Sequence, residues 1–285
     1  MPLSRREFLT TLSSAPLAAR AWGKFGNVEI GVCKPPRDLE KAVHYGFDYL
    51  EPEALAIHNM DDAAFAAFKK QVLASPIRCE CYNILFPGRK IRVVGEHVQW
   101  DLLDPYLEKT FSRCRQLGGS IVVWGSSGSR NVSPGYSRAK AWAQIQQFLK
   151  RAGAIARRHG LIVAIEPLRH QESNIINTGA EAMRLVEEVH HPNVRMIIDY
   201  YHLREENESP EIIWTARRYI VHFHFANPHG RVWPKSPSED PEYAEFFRMV
   251  KKINFHGGIS IEARGTFAVD GRASLAFFRE ELTSA

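Results

Sequence analysis

LIVAIEPLRHQESNIINTGAEAMRLVEEVHHPNVRMIID, residues 161–199, contains one complete strand–helix–strand unit. LIVAIE (161–166) is an apolar, β-branched run too short for a helix, and VRMIID (194–199) is a second. Between them TGAEAMRLVEEVHH repeats its apolar residues at helical spacing, with Thr178 as N-cap and Glu181 three residues later. Two apolar strands joined through a helix are expected to lie parallel, because a tight hairpin is not available to them. Both strands end in an acid, Glu166 and Asp199.

The same alternation runs outward through the chain. Further apolar runs are VEIGVC (28–33), FDYLE (47–51), IRCECYN (77–83), SIVVWG (120–125), YIVHFHF (219–225) and GISIEA (258–263). Between them lie amphipathic stretches such as DDAAFAAFKKQVLA and AKAWAQIQQFLKRAGAIARRHG. CRQLGG and ARRHGL carry the basic-then-glycine ending of a helix that hands over to a strand. Eight strand–helix units are the number that closes a single (β/α)8 TIM barrel, and 285 residues suit that fold. No G-x-G-x-x-G follows the first run, so an open dinucleotide-binding sheet is not indicated. The barrel is expected over residues 22–285 as one catalytic domain. The irregular segments 84–95 and 227–240 follow strands and fall on the face where barrels keep their sites, while GSSGSR (125–130) reads as a flexible loop. Phe86, Trp124 and Trp233 are aromatics near the mouth that could pack on a sugar face, with core packing the first reading for Trp124.

Composition narrows the function classes. With 45% hydrophobic and 24% charged residues the chain reads as globular. Residues 1–21 hold Arg5, Arg6 and Arg20 against Glu7, a net +2 of the total +5, so the remainder carries +3. That is too mild and scattered to indicate a nucleic-acid partner. SRREFLTTLSSAPLAARA has the paired arginines, short apolar stretch and small residues of a twin-arginine export signal. Residues 1–21 are therefore expected to engage the twin-arginine export machinery and direct the protein to the periplasm. If the segment is not used, the protein stays cytoplasmic. The stretch is too short and polar for a stable membrane span. Cys33, Cys79, Cys81 and Cys114 show no metal-ligand spacing, and Cys79 and Cys81 are expected on one face of a strand. Whether a disulfide or a homo-oligomer forms is left open.

The chemistry concentrates at the ends of the last four strands. The fifth ends in Glu166, the sixth in Asp199, the seventh carries His224 and the eighth ends in Glu262. Strand ends of a barrel converge on one mouth, so these side chains can meet. Clustered carboxylates repel unless a cation neutralises them. Three carboxylates and an imidazole suit one divalent metal ion, Mn2+ first, with Mg2+ or Co2+ as alternatives and Zn2+ less suited. Glu172, His202 and Arg231 flank the proposed ligands. Taken singly, each of the seven residues also fits a cap, a packed histidine or a surface ion pair.

IEPLRHQESNIINT, IIDYYHLREENE, VHFHFANPHGR and ISIEAR resemble the xylose-isomerase-like barrels, and among them the ketose 3-epimerases and related sugar isomerases, over about residues 28–280. The resemblance implies that Glu166, Asp199, His224 and Glu262 hold one metal and that Glu172, His202 and Arg231 contact a small-molecule sugar. Two departures bear on which sugar. Arg169-His170 stands where the epimerases often have Asn-Arg, and Arg231 follows the histidine by seven residues where six is usual.

The expected reaction is epimerisation of a keto-sugar through an enediolate, with Glu166 and Glu262 as the acid–base pair on the two faces of one carbon. The same site would serve a dehydratase or an aldose–ketose isomerase acting on an oxidised sugar or inosose. A metal-clamped sugar-binding protein is a further reading. An abasic-site endonuclease is disfavoured, since the second, third and fourth strands end in Glu51, Asn83 and Gly125 instead of extra histidines, and His58 and His97 fall outside strands.

Overall fold

The computed structural model describes residues 28–283, so the expected export segment and residues 22–27 lie outside the described residues. Eight strands run in chain order: β1 Val28–Cys33, β2 Tyr49–Glu51, β3 Cys81–Tyr82, β4 Ile121–Trp124, β5 Ile162–Ile165, β6 Val194–Asp199, β7 Ile220–Phe225 and β8 Gly257–Ile261. Their spatial order is β2-β1-β8-β7-β6-β5-β4-β3, and every paired neighbour is parallel. The remaining seam, β2 to β3, is closed by isolated bridges from Tyr49 to Arg78 and from Glu53 to Asn83. The result is a TIM barrel wrapped by the helices that link successive strands.

The two-residue alternation of a strand sorts side chains between two cores. Tyr49, Cys81, Val123, Ala164 and Ile197 meet inside the barrel. Leu50, Val122, Val163 and Ile198 point outward into the main core beneath the helices. Inside, Tyr49 bonds Ser260 at 2.8 Å. Gly31 is required beside it, because a Cβ there would sit 2.1 Å from the Tyr49 ring. The same alternation, continued two residues on, sends Glu51, Glu166, Asp199 and His224 inward at the mouth.

The helix signals hold. Thr178 Oγ1 accepts from the Glu181 N–H at 3.1 Å to cap Gly179–Val189. Gly118 and Gly160, the glycines of CRQLGG and ARRHGL, take left-handed φ of 97° and 66° just past their helices.

Other expectations are corrected. The third run shrinks to Cys81–Tyr82, because Arg78 bridges back to Tyr49 whereas Cys81 and Tyr82 pair with β4. The chain shifts between those partners at residues 79–80. That shift puts Cys79 in the outer core and Cys81 in the inner one, so they do not share a face. All four cysteines are free thiols. GSSGSR is not a flexible loop: Ser127–Arg130 is a helical turn, and Arg130 is completely buried. Its guanidinium donates to the carbonyls of Trp124 (3.1 Å) and Glu166 (2.7 Å), tying the tip of β4 to that of β5. Phe86 and Trp233 are buried instead of presenting a face at the mouth, whereas Trp124 takes the core-packing role expected of it. Phe86 and Trp124 pack on Phe148, and Trp233 stacks on Phe267. Among the described residues no helix is long and apolar enough to cross a membrane.

Candidate metal centre

Glu166 and Glu262 stand one residue beyond β5 and β8, Asp199 ends β6, and His224 is the penultimate residue of β7. Each of the four offers a ligand atom, and these atoms lie within 4.8 Å of one another. His224 Nδ1 is 3.1 Å from Glu166 Oε1 and 3.3 Å from Glu262 Oε2. Asp199 Oδ1 accepts from the Tyr201 N–H at 2.8 Å, as helix N-caps do. Its other oxygen, Oδ2, is buried without a hydrogen-bond partner. The neutral His202 Nε2 and the Arg231 Nη2 are 3.5 and 3.6 Å away.

The flanking residues join the same cluster. Arg231 Nη2 donates to Glu262 Oε2 at 2.9 Å, and Nη1 lies 3.6 Å from Glu172 Oε1. Arg169 donates to Glu172 and to Glu205, each at 2.8 Å, so Glu172 sits between two guanidinium groups. Both arginines lie about 5 Å from the Tyr201 ring, a distance at which cation and ring attract. Arg231 adopts a left-handed φ of 56°, uncommon outside glycine, directly after Gly230 at 92°. His202 is buried; its Nδ1 accepts the Arg169 backbone N–H at 3.3 Å, which leaves Nε2–H as a donor aimed toward Asp199. All seven residues singled out in the sequence thus form one contiguous group.

Electrostatics mark the same place. Burial pushes the Asp199 carboxyl up to about 7, with Glu166 and Glu262 adding to the shift and Arg231 opposing it. Burial also works against charge on Glu262, yet the His224 bond and Arg231 hold it down at about 2. At His224 burial favours the neutral ring, but Glu51, Glu166 and Glu262 raise its pKa well above the ordinary value. Burial, helped by Arg231, keeps His202 neutral. Arg231 and a protonated His224 therefore neutralise the three carboxylates only in part. The donor set, hard oxygens with one imidazole and an unpartnered buried Asp199 Oδ2, fits a divalent cation in place of the proton on His224 Nδ1.

Sequence reading missed the residues behind these. Glu51 is completely buried and lies 2.9 Å from both His222 Nε2 and His224 Nε2, one per oxygen. Its signal was present: an acid ending an apolar run, as Glu166 does. Asn83 Nδ2 donates to Glu262 Oε1 at 3.1 Å. A side chain at Gly125 would occupy the space of Glu166, its Cβ falling 1.6 Å from Oε2. Beside Glu262 and Arg231, a cavity of about 500 Å³ opens over the tips of β1–β3, lined by Cys33, Lys34, Glu53 and Asn83 among others.

Residues 39–281 match the xylose isomerase-like TIM barrel family. An L-ribulose 3-epimerase of Methylomonas sp. (strain DH-1) is 27% identical over 60% of this chain; the match spans 59% of that protein, less than two thirds of its length. A 3-dehydro-D-guloside 4-epimerase of Escherichia coli (strain K12) is 26% identical over 77% of this chain and 83% of its own. A solved structure of D-psicose 3-epimerase in the presence of D-fructose superposes with a TM-score of 0.80. It covers 90% of this chain and all of the other at 22% identity, a likeness of fold.

Proposed function

The chain belongs to the xylose isomerase-like TIM barrel family, and from that premise we propose that it is a divalent-metal-dependent epimerase of a keto-sugar, working through an enediolate. The observation that carries the reading is the convergence of Glu166, Asp199, His224 and Glu262, with Asp199 Oδ2 buried and unpartnered. These four residues hold the ion, with Mn2+ preferred over Mg2+ or Co2+. When bound, the ion supplies a Lewis acid that stabilises negative charge developing on the substrate's oxygens.

Glu166 and Glu262 are the acid–base pair. They come from opposite ends of the β5–β8 arc, with His224 Nδ1 within 3.3 Å of each. One carboxylate removes the proton from the carbon beside the ketone, and the C–H electron pair moves toward the carbonyl oxygen. The other, protonated, returns a proton to the opposite face, inverting the carbon. His224 and Arg231 hold Glu262 as a carboxylate. His202 Nε2–H donates to a substrate oxygen, while Glu172 and Arg231 bind hydroxyls. The cavity over β1–β3 receives the part of the sugar away from the reacting carbon.

Incubating the metal-loaded protein with a panel of keto-sugars in D₂O, read by proton NMR, tests this. Deuterium beside the carbonyl together with a new epimer is expected. Glu166→Gln and Glu262→Gln are each expected to lower turnover by about 10²–10⁴-fold. Loss of a hydroxyl would indicate a dehydratase instead. Absence of exchange in a protein shown to carry metal would overturn the two-base reading. Export to the periplasm, proposed on Arg5-Arg6 and the stretch after them, is tested by fractionating cells that express the full chain; a wholly cytoplasmic product would refute it.

A further inference from the structure

Glu51 is a carboxylate with no solvent exposure, inside the barrel, and among the described residues no Lys or Arg bonds it. A buried charge of that kind is costly unless its oxygens are fully occupied. Here they are occupied by two rings of one strand. His222 and His224, two residues apart on β7, face the same side, and their planes stand at 89° with centroids 5.2 Å apart. Each ring directs Nε2 at one oxygen of Glu51, both at 2.9 Å. Glu51, Cys81 and His222 are close enough to suggest a second metal site. Both Glu51 oxygens already accept from imidazole N–H, so the geometry favours an anchor over an open ligand.

We propose that Glu51 is the positioning residue of the metal centre: it takes the Nε2–H of His224, thereby fixing the ring with Nδ1 facing Glu166, Asp199 and Glu262, while His222 locks the carboxylate from behind. This rests on the metal reading above. A histidine ligand held by a carboxylate on its far nitrogen is oriented and made a better donor, and losing such a partner costs about 10–100-fold in metal affinity. Glu51 also adds a fourth negative charge within one ring's width of the cation.

The test is calorimetric titration of Mn2+ into the wild-type protein, Glu51→Gln and His222→Gln, with circular dichroism of each metal-free protein to establish folding. A second readout is the His224 Nε2–H proton in the diamagnetic Mg2+-loaded protein. In the wild type it is expected downfield and slow to exchange, because a carboxylate accepts it. Glu51→Gln is expected to weaken Mn2+ binding by about 10–100-fold and to move that proton upfield. His222→Gln should weaken binding less, since Glu51 keeps its bond to His224. Should Glu51→Gln not fold, Glu51→Asp, which withdraws the carboxylate by one methylene, must weaken Mn2+ binding in the same direction. An unchanged affinity with an unmoved proton, in either Glu51 variant, overturns the proposal. A wild-type protein that binds no divalent ion overturns the metal reading instead. The His224 Nε2–H signal of the metal-free protein then decides alone whether Glu51 holds the ring.

Discussion

The mouth of the barrel divides into two halves with different work. The tips of β5–β8 present Glu166, Asp199, His224 and Glu262, whose ligand atoms converge on one point. The tips of β2–β4 present Glu51, Asn83 and Gly125, and each of these acts on a member of the first group. Glu51 holds His224 at 2.9 Å, Asn83 holds Glu262 at 3.1 Å, and the missing side chain of Gly125 is the space that Glu166 fills. One half supplies donors and the other sets where the donors stand. A barrel makes this division natural, because strands far apart in sequence point their tips at a shared axis. The placement of a ligand is thus specified as much by the chain across the mouth as by its own strand.

The harshest way to break that division is Gly125→Ala. Its Cβ would fall 1.6 Å from Glu166 Oε2 and 2.8 Å from Cδ. The obstruction is the end of a side chain, so the fold is expected to survive and Glu166 to move. Misplacing a reacting group by about 1 Å costs roughly 10²-fold in rate. Turnover should therefore fall by about that much while the thermal midpoint changes little. Turnover close to wild type would show that Glu166 is not needed where it stands.

The donor half is sharpened by pH. In the metal-free protein burial pushes the Asp199 carboxyl up to about 7, and the surrounding carboxylates, against burial, raise His224 well above the ordinary imidazole value. Below those values both carry protons that a cation must displace, so affinity falls as pH drops. From pH 7 to 6 Mn2+ affinity should decrease at least about tenfold, one decade for each proton displaced. Titration in buffers of different ionisation enthalpy counts the protons released. Binding that releases none would mean that Asp199 or His224 is not a ligand.

What could be read from the sequence follows the same division. Donors announce themselves: Glu166 and Asp199 are charges closing apolar runs, and their alignment at strand tips follows from counting strands. The barrel was legible for the same reason, since each apolar run and helix pattern carries local information. The supporting half is legible only in three dimensions. Gly125 is one glycine among 19 until the Glu166 carboxylate is seen in its place. Arg130, in what reads as a polar loop, turns inward because carbonyls at the β4 and β5 tips and the Ser173 hydroxyl in the loop beyond β5 accept from it, and no local pattern encodes them. Strict alternation puts Cys79 and Cys81 on one face, and it fails because the chain changes partners between them.

The smallest effect belongs to Asn83→Ala. Asn83 Nδ2 donates to Glu262 Oε1, while Arg231 Nη2 holds the other oxygen at 2.9 Å. With His224 Nδ1 also 3.3 Å from Oε2, removing one of three restraints should loosen the carboxylate without releasing it. A single hydrogen bond is worth about 0.5–1.5 kcal/mol net, so kcat should fall by roughly tenfold or less, with Mn2+ affinity close to wild type. The comparison with Gly125→Ala is the informative part. If Asn83→Ala costs as much as displacing Glu166, or raises KM more than it lowers kcat, then Asn83 touches the sugar itself. Its second amide atom makes that outcome concrete: Asn83 Oδ1 is buried without a partner, beside the cavity that runs over β1–β3. A KM effect would move Asn83 from the half that holds ligands to the surface that binds substrate, and would leave Glu51 and Gly125 as the positioning pair.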